Sequence, residues 1–388
     1  MHIGIDASRA VRGERTGTEH YSARLLDALA RNEDAAQHRF VCYVNAPPDS
    51  VPLDLFGFNL PPNFTLRPLP FRRLWTHVRL STEMVQHPPD VLFVPSHVVP
   101  LRHPTNTVVT IHDVGYLFYP EAHTPLSRFY LNLSTRFSVR SARLVIAISH
   151  ATADDLQKHY QVPEEKIRVI WHGVDTFFQP VPFRAELMRV RVEYQIPTQR
   201  PFLLYVGTLQ PRKNLERLVE AYAAGLRESR LGTPPPTLVL AGKKGWLYDK
   251  LFAQVKSLGL EQDVYFPGYI AQADLPALLS GALAFVFPSL YEGFGMPALE
   301  AMACGTPLIA SRASSLPEVV GNAGLLVGPH DTKAWTAALH AVTNDTTLRK
   351  RLQGAGMARA AQFSWERVAA DTLRALEEAG PQLYRGRD

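Results

Sequence analysis

The stretch from Ser289 to Ser315, S-L-Y-E-G-F-G-M-P-A-L-E-A-M-A-C-G-T-P-L-I-A-S-R-A-S-S, constrains the fold of this chain more than any other. It follows an apolar run, Ala282 to Phe287, that is closed by Pro288 and has the length of one buried strand. Gly293 and Gly295 permit backbone turns and close approaches that a side chain would block. Pro297 suits a first helical position, and Ala298 to Cys304 continue as helix formers until Gly305 and Pro307 stop them. A second apolar run, Leu308 to Ala310, follows. Strand, glycine loop, short helix and strand together make a unit of an open α/β sheet, which binds ligands beyond the carboxyl ends of its strands.

Two carboxylates, Glu292 and Glu300, lie eight residues apart within that unit. A continuous helix would separate them by roughly 12 Å along its axis. The glycines break the helix, which leaves Glu292 on the loop and Glu300 in the first helical turn, both able to face one crevice. An isolated pair of this kind reads first as a solvated loop charge at Glu292 and a helix-dipole complement worth about 0.3–1 kcal/mol at Glu300; the glycines, the proline and the flanking buried strands reverse that preference.

In this setting the stretch resembles the E-x7-E signature of retaining glycosyltransferases with the GT-B fold, specifically the large family 4. The resemblance is close over residues 200–330 and looser over the N-terminal half. It implies two Rossmann-like domains facing a central cleft, with a C-terminal helix crossing back to the first. The expected boundaries are residues 1–180 for the acceptor domain, joined by 364–388, and 181–363 for the sugar-nucleotide domain. Under the resemblance Glu292 contacts hydroxyls of the donor sugar and Glu300 binds the ribose, with Gly293, Phe294, Gly295 and Met296 forming the donor loop.

A chain of 388 residues suggests two domains of ordinary size, and 46% hydrophobic with 20% charged residues is a globular composition. No stretch approaches the length of about 20 apolar residues that spans a bilayer. The N-terminus is already strand-like, so no signal peptide is expected and the cytosol is the expected compartment. Cys42 and Cys304 lack metal-ligand and redox spacing. The formal charge of +5 favours anionic partners. Nucleic acid is not among them, because no dense basic block or aromatic-basic recognition motif occurs. Pro70 to Leu80, P-F-R-R-L-W-T-H-V-R-L, interleaves basic and aromatic residues in a way that suits either an anionic membrane surface or an ordinary surface helix.

In chain order, His2 to Asp6 reads as a strand and Ala7 to Thr16 as a polar loop with three arginines. Gly17 introduces a helix over Thr18 to Ala30, and such a helix terminus suits a phosphate. The dinucleotide fingerprint G-x-G-x-x-G is absent, which disfavours a dehydrogenase. Family 4 enzymes often carry a glycine pair here, whereas Gly17 stands between two threonines. Glu19 and His20 read as solvated helix-face residues or as acceptor contacts. Phe40 to Val44 is a strand, and Asn45 to Pro70 a long irregular connection. Val91 to Val94 and Thr107 to Ile111 are further strands, the latter delivering His112-Asp113 at its carboxyl end. Adjacent strand residues point to opposite faces, so Asp113 need not orient His112. The family resemblance places such a histidine opposite the donor sugar. Leu144 to Ile148 and Ile167 to Ile170 are strands flanking a helix, Ala151 to His159, for which Ser149 is the simplest cap. His172-Gly173-Val174-Asp175 also resembles the family, and Thr176 to Arg200 reads as a linker.

The second half restarts with Phe202 to Val206 as a strand, then Gly207-Thr208-Leu209-Gln210-Pro211-Arg212-Lys213-Asn214 and a helix over Leu215 to Leu226. Two cations at a glycine-opened strand end suit a diphosphate, and the resemblance identifies Arg212 and Lys213 with the family's pyrophosphate-binding pair. Thr237 to Leu240 is a strand ending at Gly242, and Val264 to Phe266 one leading to Gly268-Tyr269-Ile270, where similar enzymes hold the base. Leu275 to Leu279, a helix from Ser315, Thr332 to Val342, Leu348 to Phe363 and a last helix to about Ala379 are helical, and Gly324 to Val327 is a strand.

No D-x-D occurs in the chain, so the expected cofactor set holds no metal, with Arg212, Lys213 and the Gly17 helix terminus stabilising the leaving diphosphate instead. The resemblance is to bacterial enzymes of surface polysaccharide synthesis. It implies a hexose, mannose from GDP-mannose first, moved to a glycan or lipid-linked oligosaccharide. The alternatives are a UDP-sugar donor or a GT-B sugar-nucleotide epimerase, which would turn over without an acceptor.

Overall fold

The computed structural model describes residues 1–11, 17–47, 60–246 and 248–381. The chain divides into two compact units, Met1–Gly173 with the segment from Ser364 onward, and Val174–Phe363.

The first unit is built on seven parallel strands, β1 (His2–Asp6), β2 (Arg39–Val44), β3 (Phe64–Pro68), β4 (Val91–Val94), β5 (Thr107–Ile111), β6 (Leu144–Ala147) and β7 (Ile167–Val169), in the order β3-β2-β1-β4-β5-β6-β7. Alternate residues of its strands feed two cores, as a pleated sheet covered on both faces requires. Ile3, Ile5, Val91 and Phe93 pack on one side, and Leu92, Val94, Val109 and Ile111 on the other. The first core is closed by helix Gly17–Arg31, through Tyr21, Leu25 and Leu29, and by the C-terminal helix Trp365–Ala379, through Trp365, Leu373 and Leu376. The C-terminal segment thus packs back on the first unit, and its approach is tight. A Cβ on Gly173 would lie 2.6 Å from the Trp365 backbone nitrogen.

The second unit has six strands, β8 (Phe202–Val206), β9 (Thr237–Ala241), β10 (Val264–Gly268), β11 (Ala284–Phe287), β12 (Leu308–Ser311) and β13 (Leu325–Val327), all parallel, in the order β10-β9-β8-β11-β12-β13. In both sheets the strand order reverses beside the first strand of the unit, β1 or β8. That reversal opens a crevice at the carboxyl ends.

Four regions differ from the sequence reading. Part of the Asn45–Pro70 connection is strand β3, paired with β2 from Phe40↔Phe64 to Val44↔Pro68. A proline is tolerated there because β3 is an edge strand; residues 48–59 lie outside the described residues. Helix Pro125–Ser141 buries Ser134, Thr135, Ser138 and Val139 while Leu126, Phe129 and Leu133 stay exposed, so it lacks the single apolar stripe of a usual surface helix. The linker region contains helix Arg184–Glu193, whose charge-rich sequence buries only Val190 and Arg191. Helix Asp249–Ser257 lies between β9 and β10. Within Pro70–Leu80, Trp75 is buried and its indole donates to the Leu69 carbonyl at 2.7 Å. A wide turn, Thr76–Leu80, then continues into the short helix Ser81–Gln86.

Candidate functional site

The donor half of the expected site lies in the second unit, where the loops after β8 and β11 meet. These strands are neighbours in the sheet, so Arg212 and Glu292 are brought together from positions 80 residues apart. Pro211–Lys213 forms a tight turn that Asn214 closes in a left-handed conformation, φ 56°. The Asn214 side-chain amide donates to the carbonyls of Pro288, at 3.2 Å, and Pro329, at 2.7 Å, and the Leu290 N–H donates to the Arg212 carbonyl at 2.9 Å. Two loops fixed to each other in this way hold their side chains without needing a ligand.

Three charged groups converge there. The Lys213 ammonium donates to Oε1 of Glu292, and Arg212 Nη1 lies 3.4 Å from Oε2 while donating to the Tyr291 carbonyl at 2.6 Å. Lys213 and Glu292 are both buried, and the Lys213 ammonium sits 5.3 Å from the centre of the Phe287 ring. Burial alone would raise the Glu292 carboxyl, but the adjacent charges of Lys213 and Arg212 and the lysine hydrogen bond hold it below its ordinary range. Ser314 and Ser315, which no sequence pattern marks, support the loop. Their hydroxyls donate to the Glu292 carbonyl at 2.7 and 2.9 Å, and Ser315 also reaches the Phe294 carbonyl at 2.8 Å. Their only sequence signal is position, as small hydroxyl residues just past the strand next to β11.

Gly293, Phe294 and Gly295 are buried in the following turn. Gly295 has φ 106°, and a Cβ there would meet Leu316 at 2.6 Å, so the turn requires glycine on both counts. The helix begins at Met296 and runs to Ala303, one residue earlier than expected. Pro297 is therefore its second residue, and Glu300 falls in the second turn instead of the first. Glu300 is half-buried beside the buried Asp175. Burial and the like charge of Asp175 push its carboxyl up to about 8. A carboxyl that keeps its proton near neutrality can donate a hydrogen bond as well as accept one.

Gly207, Gly242 and Gly268 stand at the carboxyl ends of the adjacent strands β8, β9 and β10. The backbones are in close contact, with the Gly207 N–H donating to Ala241 at 3.0 Å and the Gly242 N–H to Gly268 at 2.7 Å. A Cβ on Gly242 would lie 1.9 Å from the Gly207 carbonyl oxygen. Tyr269 is exposed, with Lys243 5.2 Å from its ring centre, and Ile270 is buried. The unit thus offers a flat backbone floor, an electropositive corner at Arg212 and Lys213, and carboxyl groups at Glu292 and Glu300.

The other expected residues lie in the first unit. His112 directly follows β5 and is buried. Its Nε2 lies 2.9 Å from the Pro95 carbonyl, which can only accept, so Nε2 carries the proton and Nδ1 the lone pair. Burial, with the neighbouring His97, pulls His112 down to about 4, and it is neutral at pH 7. The ring packs edge-on against Tyr21 at 4.8 Å, and His97 and His172 lie 5.4 and 5.7 Å away. Asp113 instead accepts from the Gly115 N–H at 2.9 Å and so holds the turn. Gly17 is the first residue of its helix, where a Cβ would meet nothing within 4 Å. The loop before it, residues 12–16, lies outside the described residues. Glu19 is buried against Arg9 at 2.9 Å, not solvated. Ser149 caps its helix by accepting from the Thr152 N–H at 3.0 Å. Among the described residues no group of three His, Cys, Asp or Glu side chains could hold a metal ion.

The chain matches two known sequence families over most of its length, Glycosyltransferase Family 4 at residues 15–177 and Glycosyl transferases group 1 at residues 189–359. It is 34% identical over 308 residues to the O-antigen chain mannosyltransferase B of Escherichia coli, an alignment covering 79% of this chain and 77% of that protein. Identity to the serotype-specific mannosyltransferase WbdA of Escherichia coli is 27% over 95% of this chain, which spans 47% of that longer protein. Among solved structures, the sucrose-phosphate synthase of Thermosynechococcus elongatus superposes with a TM-score of 0.72 at 23% identity, covering 99% of this chain and 98% of that one. HepE of Anabaena, solved in complex with UDP-glucose, superposes with a TM-score of 0.71 at 21% identity, covering 97% and 99%.

Proposed function

Because this chain belongs to the glycosyltransferases of family 4 and group 1, enzymes of the GT-B class that transfer a sugar from a nucleotide-sugar donor to an acceptor, we propose that it moves a hexose to a glycan or lipid-linked oligosaccharide, with retention of configuration and without a metal. The observation that carries the donor site is the Arg212–Lys213–Glu292 cluster at the carboxyl ends of β8 and β11. Arg212 and Lys213 take the diphosphate, where their charge grows in value as the sugar–phosphate bond breaks. Glu292 meets the sugar hydroxyls, and Glu300 the ribose. The loop Gly293-Phe294-Gly295-Met296 lines the donor, the Gly207–Gly242 floor carries its backbone contacts, and the main chain of Gly268, Tyr269 and Ile270 receives the base. His112, neutral, contacts the transferred sugar through Nδ1, and the Gly17 helix terminus assists the phosphates. As the anomeric carbon leaves the diphosphate and bonds the acceptor oxygen, the acceptor proton passes to the departing phosphate oxygen. The proposed compartment is the cytoplasm, with peripheral contact at the cytoplasmic face of the membrane.

Two donors are in contention. A UDP-sugar is favoured by the structural neighbours that were solved with UDP or UDP-glucose. GDP-mannose is favoured by the relatives that carry mannosyltransferase names. Thermal denaturation with GDP, UDP, ADP and dTDP in turn, with chelator present, distinguishes them. A nucleotide at 100 times its dissociation constant adds about 2.7 kcal/mol of stability. A shift with UDP alone supports the first donor, and one with GDP alone the second. No shift with any nucleotide, either with chelator or with Mg²⁺ in its place, overturns the donor site, and a shift seen only when Mg²⁺ replaces the chelator overturns the metal-free reading.

A further inference from the structure

We propose that the first unit carries a docking surface for an anionic lipid bilayer, formed by the segment Phe71–Val78 and the first half of helix Pro125–Ser141. The inference gives the lipid-linked acceptor a place to be met and rests on that reading for its purpose, although its evidence is the surface itself. Phe71, Leu74 and Val78 project from the first segment, and Leu126, Phe129 and Leu133 from the helix, with Leu126 77% and Phe129 66% exposed. On the helix these positions follow an i, i+3, i+7 spacing, which makes one continuous stripe. The two segments touch: His77 Nε2 and the Tyr130 hydroxyl are 2.9 Å apart. Buried Trp75 and the inward-facing Ser134, Thr135, Ser138 and Val139 hold the two segments from below.

Charge decides the occupant. Residues 71–80 and 125–141 contain six arginines and not one Asp or Glu. Arg79 is engaged by Glu83 at 3.2 Å, whereas Arg72, Arg73, Arg128 and Arg136 are exposed around the apolar stripe. Apolar side chains in two segments whose charged residues are all cations match lipid headgroups over acyl chains. The surface also lies at the right end of the unit. The first segment follows the carboxyl end of β3, and the helix begins on the return from β5, whose carboxyl end carries His112. Arg9, in the loop after β1, is near enough to act electrostatically on both Tyr130 and His97.

The test is sedimentation of the full chain with vesicles of phosphatidylcholine alone or mixed equally with phosphatidylglycerol. Binding is expected with the anionic vesicles only, and release near 1 M salt, where the Debye length is about 3 Å. The variants Arg72→Glu with Arg128→Glu, and Leu126→Ser with Phe129→Ser, should each weaken binding by about tenfold or more. Their nucleotide-induced thermal shifts should match the parent protein's, which separates a failure of this surface from a failure of the donor site. Equal binding to both vesicle types, no binding to either, or variants that bind like the parent would overturn the proposal. A dimer that the Leu126→Ser, Phe129→Ser variant dissociates, without vesicle binding, would assign the surface to a second copy of the chain.

Discussion

The Lys213 ammonium and the Glu292 carboxylate form a buried ion pair across two loops that the fold brings together from adjacent strands. Neither charge is in bulk water, so each is the principal reason the other can remain ionised there. Removing Lys213 leaves the buried Glu292 carboxylate with Arg212 at 3.4 Å as its remaining cation, so the cost should be a part of the about 3–5 kcal/mol that a fully stranded buried charge incurs. Lys213→Met should therefore unfold at a markedly lower urea concentration than the parent protein.

Adding Glu292→Gln to Lys213→Met removes the stranded carboxylate and should restore most of that stability, although it cannot restore transfer. Equilibrium urea unfolding of both single variants and the double variant completes the cycle. Losses in the double variant equal to the sum of the single ones would show that the pair is not coupled. The intact site keeps its pairing below the ordinary carboxylate range, because Lys213 and Arg212 hold the Glu292 carboxyl down against its burial.

The opposite shift at Glu300 gives the opposite pH dependence. Its carboxyl is raised from 4.5 to about 8 in the folded chain by burial and by Asp175, so between those values the folded state holds a proton that the unfolded state has released. Stability from this group is thus present below the unfolded value and is lost as pH rises through about 8. Glu300→Gln should flatten the decline in melting temperature between about pH 5 and pH 8. If the neutral acid is also the form that meets the ribose, nucleotide affinity in the parent protein should fall over the same range. Melting curves across pH, with and without nucleotide, read both effects, and an identical slope in the variant would refute the assignment.

The sequence made every strand except the edge strand β3 legible because parallel strands covered on two faces are continuous apolar runs, as at Val91–Val94 and Phe202–Val206. It drew attention to the charged candidate residues because a glycine loop after such a run is unusual. It hid what depends on partners distant in the chain. Helix Pro125–Ser141 presents Leu126, Phe129 and Leu133 outward while Leu131, Phe137 and Val139 pack on the core, so its apolar residues lie on two faces and give no single-stripe helix signal. Asp175 raises Glu300 from 125 residues away, and Ser314 and Ser315 hold the Glu292 backbone by hydrogen bonds that no spacing rule encodes. The start of the helix at Met296 follows from the left-handed turn at Gly295, which a proline at position 297 alone does not specify.

His112 provides the sharpest test in the first unit. Its Nε2 proton is committed to the Pro95 carbonyl, and burial with His97 lowers it from 6.5 to about 4. The unfolded chain takes up this proton near 6.5 while the folded chain resists it to about 4. The associated stability is therefore complete above 6.5 and is lost as pH falls through that window. Proton NMR of the imidazole should show no titration of His112 between pH 5 and pH 8, with Nε2 protonated throughout. The rate of transfer should likewise show no limb from this residue in that range, and His112→Phe, which keeps a ring beside Tyr21 but lacks Nδ1, should fold and fail to transfer. A titration of His112 near 6.5 would mean that the Pro95 contact opens in solution. Full activity of His112→Phe would remove Nδ1 from the chemistry altogether.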